Sequence, residues 1–101
     1  MEKWADFLIS AVRYNAEETH IEMVRVHEDL GDNVGDVKEI LREGIVAGIK
    51  NGKTYLTIFK TNEGKWKKGE DVRIIRIGDE EFIRTDRNAT PKDNLGSLPR
   101  F

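Results

Sequence analysis

The sequence predicts a small α+β domain in which an antiparallel sheet packs against one short helix and an irregular C-terminal lid. Three observations support this class: short β-branched segments, one segment with apolar residues four apart, and a tail without periodic pattern. The predicted order of elements is β-β-α-β-β-β, and 101 residues suit a single domain spanning residues 1–101. A domain of this size buries about two-thirds of its unfolded surface, so its core is small.

The first two predicted strands form a hairpin. Phe7–Tyr14 is apolar, β-branched and aromatic, and it is too short for an independent helix. After a polar turn at residues 15–19, residues 20–27 alternate well enough for a second strand. Residues 28–36 are dense in glycine, aspartate and asparagine, which predicts a loop.

The predicted helix covers residues 37–51. An apolar stripe with a spacing of four residues indicates it, formed by Leu41, Ile45 and Ile49. Gly44 and Gly48 each weaken a helix by about 1 kcal/mol relative to alanine. Tertiary packing must therefore hold this helix in place, and an Asn-Gly pair at residues 51–52 ends it.

Three more strands are predicted after the helix. Residues 54–60 form the third strand and residues 65–77 the fourth, which is interrupted at its glycine. A tight Gly-Asp turn then leads into the fifth strand, residues 81–85. A two-residue turn there places Ile75 opposite Phe82, a favourable aliphatic–aromatic pair across the strands.

The C-terminal tail is predicted to act as a lid on the sheet. Asp93 can cap a single helical turn over residues 94–96, because its carboxylate accepts otherwise unpaired amides. Leu95 and Leu98 are three residues apart, so both point inward, and Pro99 prevents the turn from continuing. Burial of the two leucines contributes roughly 3–5 kcal/mol before entropy is subtracted.

The same tail carries a family resemblance. The run Phe-Ile-Arg-Thr at residues 82–85, followed by Asp-Asn-Leu at 93–95 and Leu-Pro at 98–99, resembles the C-terminal motif of a family of short prokaryotic proteins, domain of unknown function 3892. The resemblance extends upstream to the Ile-x-x-Val-Arg strand and the helix that ends in Ile-Lys-Asn-Gly. It implies this order of elements, and it carries no activity or catalytic residue over to this chain.

Two departures from the family pattern stand out. Ile40 and Leu41 occupy positions where relatives often carry a tryptophan and a helix-capping residue. Some relatives also end in cysteine near the position of Phe101, whereas this chain has no cysteine. The resemblance therefore implies no thiol chemistry here.

The composition excludes several classes of function. With no cysteine, the chain has no disulfide, thiolate zinc site or cysteine nucleophile. Its net charge of -2 creates no global attraction to DNA or anionic lipid. The N-terminal apolar stretch is too short for a signal peptide or a membrane span, so we expect a cytoplasmic protein without a membrane partner.

No metal or cofactor site is predicted. The acidic residues of the 28–36 loop do not match the spacing of a calcium-binding loop. His20 and His27 are interpreted as paired surface charges, and they point to opposite faces of one strand. Ser10 and Ser97 lie in no nucleophile motif, and no phosphate-binding glycine loop occurs.

The first candidate site is the basic and aromatic segment at residues 60–76, in which six basic residues oppose three acidic ones. Cations around an exposed aromatic ring are typical of proteins that bind single-stranded nucleic acid. The candidate residues are Lys60, Lys65, Trp66, Lys67, Lys68 and Arg73. The alternative interpretation is that the lysines protect a sheet edge from aggregation while the tryptophan covers the core.

The second candidate site is a polar cluster in the tail. Arg84, Thr85, Asp93 and Asn94 are close enough in sequence to line a pocket for a small ligand. The alternative is that they satisfy the buried hydrogen-bonding groups of an irregular segment.

The sequence favours a non-enzymatic binding or adaptor domain with an unidentified partner, and no cofactor is indicated. Two other classes stay open: a nucleic-acid-binding module that uses residues 60–76, and a small-ligand enzyme that uses the polar cluster. The partner is unknown, and the candidates are a protein and single-stranded nucleic acid. The chain is a monomer, or a homodimer joined through exposed strand edges.

Overall fold

The computed structural model describes residues 3–31, 33–86, 90–96 and 98–101. Within these ranges the chain is mostly sheet, with one short helix. The elements in chain order are β1 Phe7–Tyr14, β2 Ile21–Asp29, β3 Val34–Leu41, α1 Arg42–Lys50, β4 Tyr55–Lys60, β5 Trp66–Asp71, β6 Arg73–Ile77 and β7 Glu80–Arg84.

The strands form two sheets instead of the single antiparallel sheet that was predicted. The larger sheet has the order β3-β2-β1-β4-β5, and β6 pairs with β7 in a separate two-stranded sheet. The β1–β4 pair is parallel, because the chain crosses through α1 before β4 begins, and the other pairs are antiparallel. The larger sheet is therefore mixed.

The predicted helix is wrong in its first third. Val34–Leu41 is a strand that pairs with β2, and α1 begins only at Arg42. Ile45 is fully buried as the stripe predicted, whereas Leu41 is 56% exposed and faces away from the core. The predicted 28–36 loop likewise contains the end of β2 and the start of β3. An edge strand with charged residues shows little alternation, which explains the error.

The predicted fourth strand is two strands. Gly69 lies inside β5 at a register shift, and a Cβ atom there would overlap the side chain of Thr57. The break comes instead at Val72, where the chain leaves the larger sheet to form β6. The hairpin that follows was predicted correctly: Ile75 pairs with Phe82 across a tight turn.

The two faces of the larger sheet carry separate hydrophobic clusters. The main core, on the first face, includes Ile45 of α1, Ile83 of β7 and the two tail leucines. On the other face, which we call the second face, Leu8, Leu56 and Ile58 form a smaller cluster. No helix among the described residues is long and apolar enough to cross a membrane.

Both tail leucines are buried as predicted, but the described tail residues 90–96 form no helical turn. Leu95 is 1% exposed and Leu98 is 4% exposed, so both complete the main core. Asn94 forms a parallel bridge with Arg84, so this part of the tail is extended. Beyond it, the tail runs beside β1 where β4 no longer pairs with that strand.

Candidate functional site

Asp93 lies at a point where four segments of the fold meet. Its carboxylate accepts the backbone N–H groups of Ile21 and Ile83, both at 2.8 Å. Arg42 donates to it from Nε at 2.6 Å and from Nη2 at 3.1 Å. The predicted cap of a turn over residues 94–96 is therefore wrong, because the backbone amides that the carboxylate accepts belong to β2 and β7.

The other residues of the predicted pocket also take part in internal contacts. The Arg84 guanidinium donates to Asp86 from Nε at 2.6 Å and from Nη2 at 3.0 Å, and to the Lys92 carbonyl at 2.8 Å. The hydrogen bond that Arg84 donates to the Asp86 carboxylate raises the pKa of Arg84 above its usual value. Thr85 donates its backbone N–H to the Asn94 carbonyl at 3.0 Å. A cavity of about 330 Å³ adjoins this cluster, but these hydrogen bonds favour a structural role.

Part of the predicted nucleic-acid-binding set shares one surface. Lys60 pairs with Trp66 across the β4–β5 hairpin, and Lys68 pairs with Ile58. Because cross-strand partners point to the same side, Lys60, Trp66 and Lys68 all lie on the second face.

The rest of that set lies elsewhere. Lys67 pairs with Phe59 and so points to the first face. Lys65 is in the hairpin turn, where its carbonyl accepts the N–H of Thr61 at 2.8 Å. Arg73 belongs to β6 in the smaller sheet. The structure thus brings together three of the six predicted side chains.

Trp66 covers the second hydrophobic cluster. It packs against the buried residues Leu8, Leu56 and Ile58, and it is itself half-buried. Lys60 Nζ lies 5.1 Å from the centre of its ring, within the range of a cation–π contact. Much of the ring is therefore used in packing, and its remaining surface lies beside a cation.

The structure also forms a serine–histidine contact that the sequence did not indicate. Ser10 Oγ lies 2.8 Å from His27 Nε2, and His27 Nδ1 lies 2.9 Å from the Gly35 carbonyl oxygen. A carbonyl only accepts, so Nδ1 carries a proton, and the serine hydroxyl can donate to Nε2. His27 is 8% exposed, so its interpretation as a surface charge was wrong. The imidazole joins β1, β2 and the start of β3.

Ser10 and His27 are 17 positions apart in the sequence and come into contact only because β1 pairs with β2. Ser10 lies at a register shift of β1, where a bulge redirects a side chain, and no sequence motif marks it. A serine and histidine in this arrangement resemble a nucleophile and its base. Their contacts equally satisfy a buried imidazole, and that is the role the described geometry supports.

The exposed apolar surface of the described residues is concentrated at one edge of the larger sheet. Leu30 and Val37 are each 54% exposed and Leu41 is 56% exposed, and they are the exposed large hydrophobic side chains there. Val37 and Leu41 belong to β3, which has β2 as its sole neighbour, and Leu30 lies in the turn before it. The sequence did not indicate this surface, because residues 34–41 were predicted to form part of a loop and of a helix.

A shallow cavity of about 280 Å³ lies along β3 on the first face. Phe7, Val26 and Leu30 supply its apolar lining. Asp36 and Lys38 add one carboxylate and one ammonium group to the same surface, and both residues are exposed. This edge therefore combines apolar area with charges of both signs.

Asp29 positions the turn that precedes this edge. It is 4% exposed and accepts the N–H groups of Gly31 at 2.8 Å, Trp4 at 2.7 Å and Ala5 at 3.3 Å. Burial acts to raise the pKa of Asp29, but the three N–H groups outweigh it and hold the pKa below its usual value. The ionised carboxylate thus fixes both the N-terminal segment and the approach to β3.

Comparison with known proteins identifies the family. The family model described as "Protein of unknown function (DUF3892)" matches residues 8–99, nearly the whole chain. No curated protein and no solved structure matches the chain.

Proposed function

Since the chain belongs to the DUF3892 family, whose description names no activity, we propose a function from the geometry: a non-enzymatic binding or adaptor domain that binds a protein partner along β3. The partner adds an extended segment to the free edge of this strand. Backbone hydrogen bonds would provide affinity in this mode, and side-chain contacts on alternate positions would provide specificity.

One observation carries the proposal: the exposed large hydrophobic side chains of the described residues lie on the edge strand β3 or beside it. Exposed apolar side chains that gather at one edge favour an interaction site there. A free strand edge is also a template for pairing, which proteins often protect with lysine. The edge at β5 carries two adjacent lysines, Lys67 and Lys68, whereas β3 carries one, Lys38, and exposes Val37 and Leu41.

Selection of extended peptides tests this function. A displayed library of random twelve-residue peptides is selected on the whole protein, and the bound peptides are located by amide protection. We expect protection at Val37 and Glu39, and at least tenfold weaker binding to Val37→Lys. Lys67→Glu on the opposite edge is the matched control and should bind as wild type does. Peptides that bind but leave the β3 amides unprotected would refute the proposal.

A second candidate function is binding of single-stranded nucleic acid on the second face. It is favoured by the common placement of Lys60, Trp66 and Lys68. The test is fluorescence anisotropy with a labelled oligothymidylate at several salt concentrations. Lys60→Glu combined with Lys68→Glu should abolish binding, while Lys67→Glu on the first face should alter it little. Equal binding by all three proteins, or none by wild type, would rule this function out.

A further inference from the structure

We propose that the partner of the β3 edge is a second copy of this chain, joined antiparallel through β3 with Val37 on the two-fold axis. The two five-stranded sheets then become one continuous sheet. This inference rests on the proposed function, since it names the partner of the same edge.

The backbone around Val12 sets which residues of β3 face the free edge. Val12 donates to the Pro99 carbonyl at 2.9 Å and accepts from the N–H of Phe101 at 3.1 Å. Its polar groups therefore point away from β2. Val12 lies opposite Val24, and antiparallel ladders alternate, so the amide and carbonyl of Val24 point towards β3.

The same alternation continues into β3. Val24 lies opposite Ile40, so Ile40 directs its polar groups back to β2, and Lys38, two residues away, does the same. Val37 and Glu39 are the alternate residues of this strand, on either side of Lys38. Their amides and carbonyls therefore point away from β2, towards the free edge. A new strand would form hydrogen-bonded pairs with these two residues.

Charge then selects one register among those with the two-fold axis at residues 36 to 39. A two-fold axis at Asp36, Lys38 or Glu39 would place two like charges directly opposite each other, which is destabilising. An axis at Val37 places two valines opposite each other and Asp36 of each copy opposite Lys38 of the other. This register is also compatible with the outward polar groups of Val37, because a residue can form a hydrogen-bonded pair with its own symmetry mate.

The side chains agree with this register. Asp36 and Lys38 line the same cavity and so project from one face of β3, where each can reach its opposite partner. Val37 pairs with His27 and projects from the second face, and its exposed surface would be covered by the same residue of the second copy. On the first face the two copies would therefore pair opposite charges, and on the second face they would pair two valines.

Charge exchange tests the pairing. Sedimentation equilibrium over a range of concentrations should give wild type twice the mass of one chain at high concentration. Asp36→Lys or Lys38→Asp alone places like charges opposite each other and should weaken dimerisation at least tenfold. The combined Asp36→Lys and Lys38→Asp protein restores opposite charges and should regain most of the affinity. A wild type that stays monomeric, or a double variant no better than the single ones, would overturn the inference.

A cysteine scan tests the register, because the natural chain has no cysteine. In a hydrogen-bonded antiparallel pair the Cα atoms lie about 5.5 Å apart, which is within the usual range for a disulfide. Val37→Cys should therefore form a disulfide-linked dimer readily in air. In Glu39→Cys the two positions are offset by four residues, about 13 Å, so it should crosslink at least tenfold more slowly. Equal rates for the two variants would exclude an axis at Val37.

The oligomeric state and the peptide selection together distinguish failure of the homodimer from failure of the binding edge. A monomeric protein whose selected peptides still protect Val37 would overturn the homodimer and retain the binding edge. A dimer that Val37→Lys leaves intact would place the interface elsewhere and overturn the inference, and the peptide selection would then decide the function of β3 by itself.

Discussion

Asp93 and Arg42 form a buried ion pair, with Oδ2 of Asp93 2.6 Å from Nε of Arg42 and the aspartate side chain 0% exposed. The same arginine also donates to the Glu81 carbonyl. The pair therefore links the tail, the start of α1 and β7. Its value depends on both partners, because a buried charge without its partner is costly.

Asp93→Ala should destabilise the protein by about 3–5 kcal/mol, since it leaves Arg42 and two backbone amides without their acceptor. Urea unfolding followed by circular dichroism measures this change. Asp71→Ala, at an exposed position, is the matched control and should change stability by less than about 0.5 kcal/mol. Similar losses for the two variants would contradict the structural role of Asp93.

Leu95→Ala should cost about 2–5 kcal/mol, because the 1% exposed side chain fills space in the main core. The thermal midpoint of unfolding should fall by more than 10 °C for a domain of this size. Leu30→Ala removes the same atoms from a 54% exposed position and should leave the midpoint nearly unchanged. A chain truncated after Arg87 should not fold at all, and a truncated chain with an undiminished midpoint would refute the lid.

Gly44→Ala and Gly48→Ala should change stability in opposite directions. A Cβ at Gly44 would meet Ile40 Cδ1 at 3.6 Å, an ordinary contact, so the variant should gain up to about 1 kcal/mol from helix propensity. A Cβ at Gly48 would overlap the Tyr55 hydroxyl, so that variant should lose stability. Chemical denaturation of the two proteins side by side checks this. A gain in both would show that Tyr55 moves aside readily.

The stability contributed by Asp29 should depend on pH. Its folded pKa is lowered, so its contribution is complete above its unfolded value, about 4, and is lost as the pH falls through the folded value. Asp29→Asn should therefore be less stable than wild type at pH 6, and this difference should shrink towards pH 2. Urea titrations at several pH values measure it, with Asp71→Asn as the control. A difference that is constant with pH would contradict this assignment.

The sequence predicted those parts of the fold that short-range patterns determine. The Gly-Asp turn specified the β6–β7 register, including the Ile75–Phe82 pair. The burial of the two tail leucines was predicted correctly, but the helical turn from which it was inferred does not form. The register of the hairpin depends on residues close together in the chain, where turn chemistry is informative.

The missed features depend on contacts between distant residues. β3 carries charges on an exposed edge, so it shows no clear alternation, and its apolar residues suggested a helix instead. The contact of Ser10 with His27 and the convergence on Asp93 join segments that the sequence separates by 17 and up to 72 positions. Burial of His27 could not be inferred from neighbours that are acidic.

The position of Asp93 has a consequence for folding during synthesis on the ribosome. Its partners Ile21, Arg42 and Ile83 all precede it in the chain, so each must wait for a carboxylate that is synthesised after them. Contacts of such long range slow folding. The nascent chain should therefore remain sensitive to proteases until residues 93–98 have left the exit tunnel, and then become resistant in a single step.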